Sequence, residues 1–183
     1  MTQEEVLQIV IVALEKNNIP YMLTGAIAVN YYGRPRLTHD VDIIVNIERK
    51  HIQSIVDAFR QEFYISLEGI EDAIRHRTAF NIIHNETGLK IDFWMLTGEE
   101  YDKTRFSRKK RQTIFDRGMY ISSAEDIILI KLLWYKNSTS EKHIMDAAGI
   151  LQVQGNSVVD NYLIKWAEKL SVRGILRKLL KTA

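Results

Sequence analysis

The sequence predicts a mixed α/β core followed by an all-helical C-terminal part, and three observations carry that prediction. Up to about residue 121, short strand-like apolar segments alternate with helical ones. Two of those segments, 79–84 and 89–95, flank Asn85-Glu86-Thr87-Gly88, which has the composition of a turn between antiparallel strands. After residue 122 the apolar residues fall at helical spacing throughout. The expected division is a core over 1–121 and a helical region over 122–183. No Gly/Ser-rich linker separates the two, which predicts tight docking.

Each element has its own warrant. Val6, Ile9, Val10, Ala13 and Leu14 give residues 3–17 one apolar helical face, and Asn17-Asn18-Ile19-Pro20 stops it. Tyr21-Met22-Leu23 predicts a short strand, Thr24-Gly25 a turn, and 26–32 a helix of small residues ended by Gly33 and Pro35. Residues 38–45 predict a strand, 49–63 an amphipathic helix and 68–76 a shorter one. Residues 106–121 predict one or two further strands through a basic stretch. Ser122 with Glu125 resembles a capping box opening a helix to about residue 135. Ser140-Glu141 opens another to about residue 153, and two more cover 158–181.

Composition removes several classes of function. The 183 residues contain no cysteine, which excludes disulfides, zinc thiolates and a cysteine nucleophile. A net charge of +2 does not by itself point to a nucleic-acid partner. No apolar run approaches the ~18 residues of a membrane span. The opening Met1-Thr2-Gln3-Glu4-Glu5 is acidic and unlike a signal peptide, so the expectation is a soluble cytoplasmic protein.

The chemistry concentrates in Gly33 to Val45. On an extended chain Arg36, Thr38, Asp40 and Asp42 share one face, and Leu37, Val41, Ile43 and Val45 share the other. Carboxylates at i and i+2 stand about 7 Å apart along a strand, close enough to converge on a hard cation. Magnesium favours a few carboxylates plus substrate phosphates, and an arginine beside them suits a phosphate. A bare Asp-x-Asp is not specific, but two further features add to it. Thr24-Gly25-Ala26 lies between a strand and a helix, where bare backbone and helix N–H groups suit an anion. In Leu89-Lys90-Ile91-Asp92-Phe93-Trp94-Met95, Asp92 faces away from the core with Lys90 and Trp94. Aspartate is disfavoured inside strands, and a third carboxylate beside the first two gives it a reason to be there.

Taken together, Gly25, Asp40-Val41-Asp42 and the lone strand aspartate at 92 resemble the nucleotidyltransferase superfamily, whose fold is shared with DNA polymerase β. The resemblance covers roughly residues 20–150, because Ala124 to Lys131 and Lys142-His143-Ile144-Met145-Asp146 are similar to bacterial AbiEii-type and minimal nucleotidyltransferases. It implies a nucleotidyltransferase-like mixed sheet flanked by helices. It also implies transfer of a nucleoside monophosphate from a nucleoside triphosphate to an acceptor hydroxyl. Asp40 and Asp42 would bind Mg²⁺ or Mn²⁺, with Asp92 completing the site and activating the acceptor. Gly25, Ala26, Arg36, Thr38, Lys131 and Asp146 would hold the nucleotide. Several such proteins act in toxin–antitoxin or phage-defence systems, so a cognate toxin or antitoxin is an implied partner. The catalytically inactive alternative is a binding partner or antitoxin on the same fold. The turn departs from the usual Gly-Ser or Gly-Gly. Ala26 lacks a hydroxyl for a phosphate but keeps its backbone donor, and His143 stands where relatives often carry a basic residue.

The remaining expectations concern single residues. Lys131, on a helix apolar nearly all round, either snorkels to solvent or meets Asp146 from the next helix. Arg108-Lys109-Lys110-Arg111 is a solvated face or a nucleic-acid steering patch bordering the open side of the sheet. That patch favours RNA, such as a tRNA end, as acceptor over a protein or a small molecule. Trp94, Trp134 and Trp166 suit packing more than base stacking.

Overall fold

The computed structural model describes residues 1–181; residues 182 and 183 of the predicted helical region lie outside the described part. Helix α1 (Gln3–Lys16) opens on a complete capping box between Thr2 and Glu5 and buries Val6, Leu7, Val10, Ile11 and Leu14. Strand β1 (Tyr21–Leu23) leads into α2 (Gly25–Tyr32), and β2 (Asp40–Val45) follows. Then come α3 (Ile52–Phe59), β3 (Phe63–Ile65), α4 (Leu67–His76) and the hairpin β4 (Ala79–His84) and β5 (Lys90–Met95). Helix α5 (Glu100–Ser107) precedes a second hairpin, β6 (Lys110–Ile114) and β7 (Arg117–Ile121). Helices α6 (Ala124–Ser138), α7 (Glu141–Gln154), α8 (Asn161–Lys169) and α9 (Arg173–Leu180) complete the chain.

Among the described residues seven strands form one mixed sheet in the order β3-β4-β5-β2-β1-β7-β6. The central pair, β2 and β5, runs parallel, with Asp40 to Val45 in register with Lys90 to Met95. Strand β1 pairs antiparallel with β2, and the turn after β1 is tied to β2 where the Thr24 N–H donates to the Asp42 carbonyl at 3.0 Å. Alternation then divides the sheet. Val41, Ile43, Val45, Ile91, Phe93 and Met95 are buried in one cluster with the apolar face of α1. The opposite face carries Asp40, Asp42, Lys90, Asp92 and Trp94, and further along it Ile44 packs with Met22 and with Phe106 of α5. Buried residues of α6 to α9 belong to the same cluster as those of α1 and α2, and α6 packs against α2, α7 and α8. The mixed α/β prediction holds.

Five local expectations are corrected. The strand begins at Asp40, not 38, because the preceding loop is pinned elsewhere. The Asn30 side chain accepts from the Arg36 N–H and donates to the Arg36 carbonyl, both at 2.9 Å. Leu37, placed by alternation on the buried face, is 94% exposed. Phe63 follows Phe59 at helical spacing and mimics a longer helix, yet the chain turns after α3 and Phe63 opens the edge strand β3. Helix α5 was not expected: it buries only Tyr101 and Phe106, five residues apart, which leaves no helical stripe to read. The cap of α6 is Ser123 rather than Ser122, with Ser123 Oγ accepting from the Asp126 N–H.

The two faces predict unequal costs. Phe93→Ala, in the packed interior, should cost ~3–5 kcal/mol in urea unfolding. Leu37→Ala should stay within about 0.5 kcal/mol of the parent. A large loss at Leu37 would mean that loop 34–39 is packed differently.

Candidate active site

The parallel register sets Asp42 directly beside Asp92 on neighbouring strands, about 4.8 Å apart as strands lie. Asn81 of β4 stands opposite Asp92 in turn, so a polar stripe crosses three adjacent strands. Asp40 lies one pleat earlier on the same face, opposite Lys90. The Lys90 ammonium reaches Asp92 Oδ2 at 2.8 Å, and this bond raises the lysine above its ordinary range. Asp42 receives the indole N–H of Trp94 on Oδ1 at 3.1 Å. Burial pushes the Asp42 carboxyl above the usual carboxylate range. The Trp94 bond draws it back, Asp92 raises it, Lys131 lowers it and Asp40 raises it.

Gly25 fits against this carboxylate and nothing larger does. A Cβ there would lie 1.9 Å from Asp42 Oδ2, and the residue's φ of +59° is costly for other L-residues. The bare turn therefore brings the start of α2 against the Asp42 carboxylate. Ala26 follows it, buried.

The second part of the site is an ion cluster built from three segments. Asp146 of α7 takes Arg36 Nε at 2.8 Å and Arg36 Nη2 at 3.1 Å, a bidentate pair, and Lys131 Nζ of α6 at 2.7 Å. Lys131 is 3% exposed, so it does not snorkel; it meets Asp146 as the partnered alternative required. Burial acts to raise the Asp146 carboxyl, but Arg36 and Lys131 outweigh it and hold it below its ordinary range. Burial lowers the Lys131 ammonium despite that partner. Two cations share one carboxylate, which leaves a net positive charge beside the aspartates.

The structure therefore brings together Asp40, Asp42, Asp92 and Gly25, and separately Arg36, Lys131 and Asp146. It corrects the expected common face of Arg36 and Thr38 with the aspartates. Arg36 sits in the loop and turns to α7, while the Thr38 hydroxyl donates to the Asp40 carbonyl and accepts from the Asp40 N–H at the strand's start. Trp94 is more than the expected packing residue: 43% exposed, it touches Asp42 and lines a cleft of about 860 Å³ together with Thr24, Trp134 and Trp166. The signal available for it was its shared strand face with Asp92. The basic run does not border this cleft. Lys110 and Arg111 lie on the edge strand β6, separated from β2 by β7 and β1. Arg108 is taken up by Glu125, Asp126 and the Tyr162 ring. His143 packs edge-on to Trp134, and burial lowers it.

No group of three His, Cys, Asp or Glu side chains among the described residues stands ready as a metal cage. The donor set at the stripe is nonetheless all oxygen. Its carboxylates stand against a bare glycine turn, and oxygen donors of this kind suit a hard cation that keeps water and phosphate ligands.

No family model matches the chain, and no curated protein matches it. Solved structures do. The chain is similar to the antibiotic-resistance factor ANT(2'')-Ia in complex with adenylyl-2''-tobramycin, at TM-score 0.58 and 16% identity over 97% of this chain and 98% of that one. It is similar to an antigenic nucleotidyltransferase-like protein from Paracoccidioides brasiliensis, at TM-score 0.59 and 18% identity over 97% and 91%. The lincosamide antibiotic adenylyltransferase LnuA, lincomycin-bound, matches at TM-score 0.55 and 15% identity over 84% and 98%. At these identities the likeness concerns the fold: the chain has the nucleotidyltransferase fold.

The ion cluster predicts a pH signature. Asp146→Asn strands two cations and should cost ~3–5 kcal/mol at neutral pH. Because the folded carboxyl lies below its unfolded value, Asp146 contributes stability above about pH 5 and loses it as pH falls through the carboxylate range. The difference in unfolding free energy between parent and variant should shrink on acidification. A difference independent of pH would mean that Asp146 is not an ionised partner.

Proposed function

We propose that the protein is a metal-dependent nucleotidyltransferase that moves a nucleoside monophosphate from a nucleoside triphosphate to an acceptor hydroxyl. The observation that carries this reading is the in-register pair Asp42 and Asp92, set against the bare turn at Gly25. Two like charges side by side on a sheet oppose folding, and the Lys90 ammonium takes up only Asp92, so Asp42 with Asp40 leaves negative charge for a bound cation to offset. Asp40, Asp42 and Asp92 would hold Mg²⁺ or Mn²⁺, which when bound neutralises charge on the triphosphate and polarises its α-phosphate. Gly25 and the amides opening α2, Ala26 among them, receive phosphate oxygens. Lys131 and Arg36, together outweighing Asp146, add positive charge on the triphosphate side, and Thr38 fixes the start of β2. The acceptor oxygen attacks the α-phosphorus, the bond to the β-phosphate breaks, pyrophosphate leaves, and Asp92 takes the hydroxyl proton.

The acceptor on this reading is a small molecule. The cleft that meets Asp42 through Trp94 is lined mainly by apolar surface, its charged residues balance in number, and the basic run that favoured RNA lies off it. The named neighbours that modify or bind antibiotics support the same choice. The Lys90–Asp92 ion pair favours one alternative, a non-catalytic binding partner or antitoxin, which would bind nucleotide without turnover.

Asp42→Asn should abolish Mg²⁺-dependent binding of a non-hydrolysable nucleoside triphosphate in calorimetry, with a melting temperature no lower than the parent's. Asp92→Asn should retain most of that binding while pyrophosphate release falls by about 10²–10⁴. Unchanged Mg-nucleotide affinity in Asp42→Asn would remove the site assignment.

A further inference from the structure

Building on the transferase reading, we propose that the acceptor is an uncharged small molecule with an apolar, ring-bearing body and a free hydroxyl. The cleft of about 860 Å³ beside Asp42 has the size of a small-molecule site. Trp94, Tyr101, Trp134, Trp166, Ile44 and Leu133 line it, and these include every tryptophan of the chain. Trp94, 43% exposed, and the half-buried Trp134 offer contact area to ring systems without demanding charge, backed by the buried Tyr101 and Trp166.

The charged residues of the cleft are balanced. Three cations, Arg77, Arg105 and Lys169, accompany three anions, Glu99, Glu100 and Asp102. Four of the six are already paired. Arg105 Nε meets Asp102 Oδ1 at 2.7 Å, and Lys169 Nζ meets Glu100 Oε1 at 2.8 Å. Asp102 also accepts from the Thr97 N–H and hydroxyl, and the Lys169 ammonium rests 4.7 Å over the Trp166 ring. A polycation would have to strip these carboxylates of their partners, and a polyanion finds no free cationic cluster. A neutral body meets neither cost.

Trp94 joins the two chemistries. It lines the cleft, and its indole N–H holds Asp42. An acceptor seated against that ring lies next to the carboxylate stripe, where a projecting hydroxyl meets the α-phosphate.

The test reads binding apart from turnover. N-phenyl-1-naphthylamine, a neutral apolar dye, should brighten on the protein and quench tryptophan emission, since all three indoles border the site. Chloramphenicol, a neutral aromatic diol, should displace the dye, whereas the polycation tobramycin and total tRNA should not. Leu133→Arg should weaken dye binding at least about tenfold. If that variant unfolds, Ala79→Arg, which adds an unbalanced charge at an exposed strand position on the cleft wall, should produce a loss in the same direction. The proposal fails if the dye does not bind, or if tobramycin or tRNA displaces it as well as chloramphenicol does. ATP turnover measured alongside separates the two readings: dye binding with no transfer to any hydroxylated acceptor removes the transferase and leaves the cleft's preference standing.

Discussion

The parallel pairing of β2 with β5 is the constraint on which the rest of the site depends. It sets Asp42 against Asp92 across one strand spacing. A one-residue slip would turn Asp40, Asp42 and Asp92 into the core and Val41, Ile43, Ile91 and Phe93 out of it, so the buried face enforces the register. Val41, Ile43, Ile91 and Phe93 are at most 1% exposed. The apolar side of the sheet thus supplies the stability that holds mutually repelling carboxylates in place on the other side. Burial raises Asp42 and its acidic neighbours raise it further, as expected of a group held for a purpose other than stability.

A second dependence runs through Asp146. Loop 33–39 has no secondary structure, yet it is held at both levels, by Asn30 along the backbone and by Asp146 at the Arg36 guanidinium. Because Lys131 also uses Asp146, one carboxylate links the loop before β2 to α6 and α7. The helical part is thereby joined to the strand that carries Asp40 and Asp42, and changes in α7 are expected to reach that strand through this ion cluster.

What was legible in the sequence follows from which signals are local. The hairpin of β4 and β5, the helices from α6 onward and the face shared by Lys90, Asp92 and Trp94 are set by period and turn chemistry, and these were read correctly. The limits of β2 were not, because alternation continues through Arg36 and Thr38 while the bonds that end the strand come from Asn30 and from Asp146, 110 residues away. The same distance hid the partner of Arg36. The location of the basic run was hidden by topology: Arg111 follows Asp92 closely in sequence, but the sheet order inserts β2, β1 and β7 between them. The cleft was hidden most completely. Its tryptophans come from β5, α6 and α8, and each one singly looks like core packing.

The two halves of the site are built from different physics, and that division has a consequence for how specificity arises. The proposed nucleotide side is charge against charge: three aspartates, a bare glycine turn and two cations sharing one acid. Such groups act on phosphate whatever acceptor is present. The cleft is mostly apolar and internally neutral, and it draws its walls mainly from β5, α5, α6 and α8, with Ile44 as the contribution of β2. On the proposed reading, contacts there bind the non-reacting body of an acceptor, and that binding energy is used to hold a hydroxyl in line with the α-phosphate. On that reading, substitutions in the cleft other than at Trp94 alter the acceptor without disturbing the carboxylates. The Trp94 indole, which lines one half and holds a carboxylate of the other, is where the two halves meet.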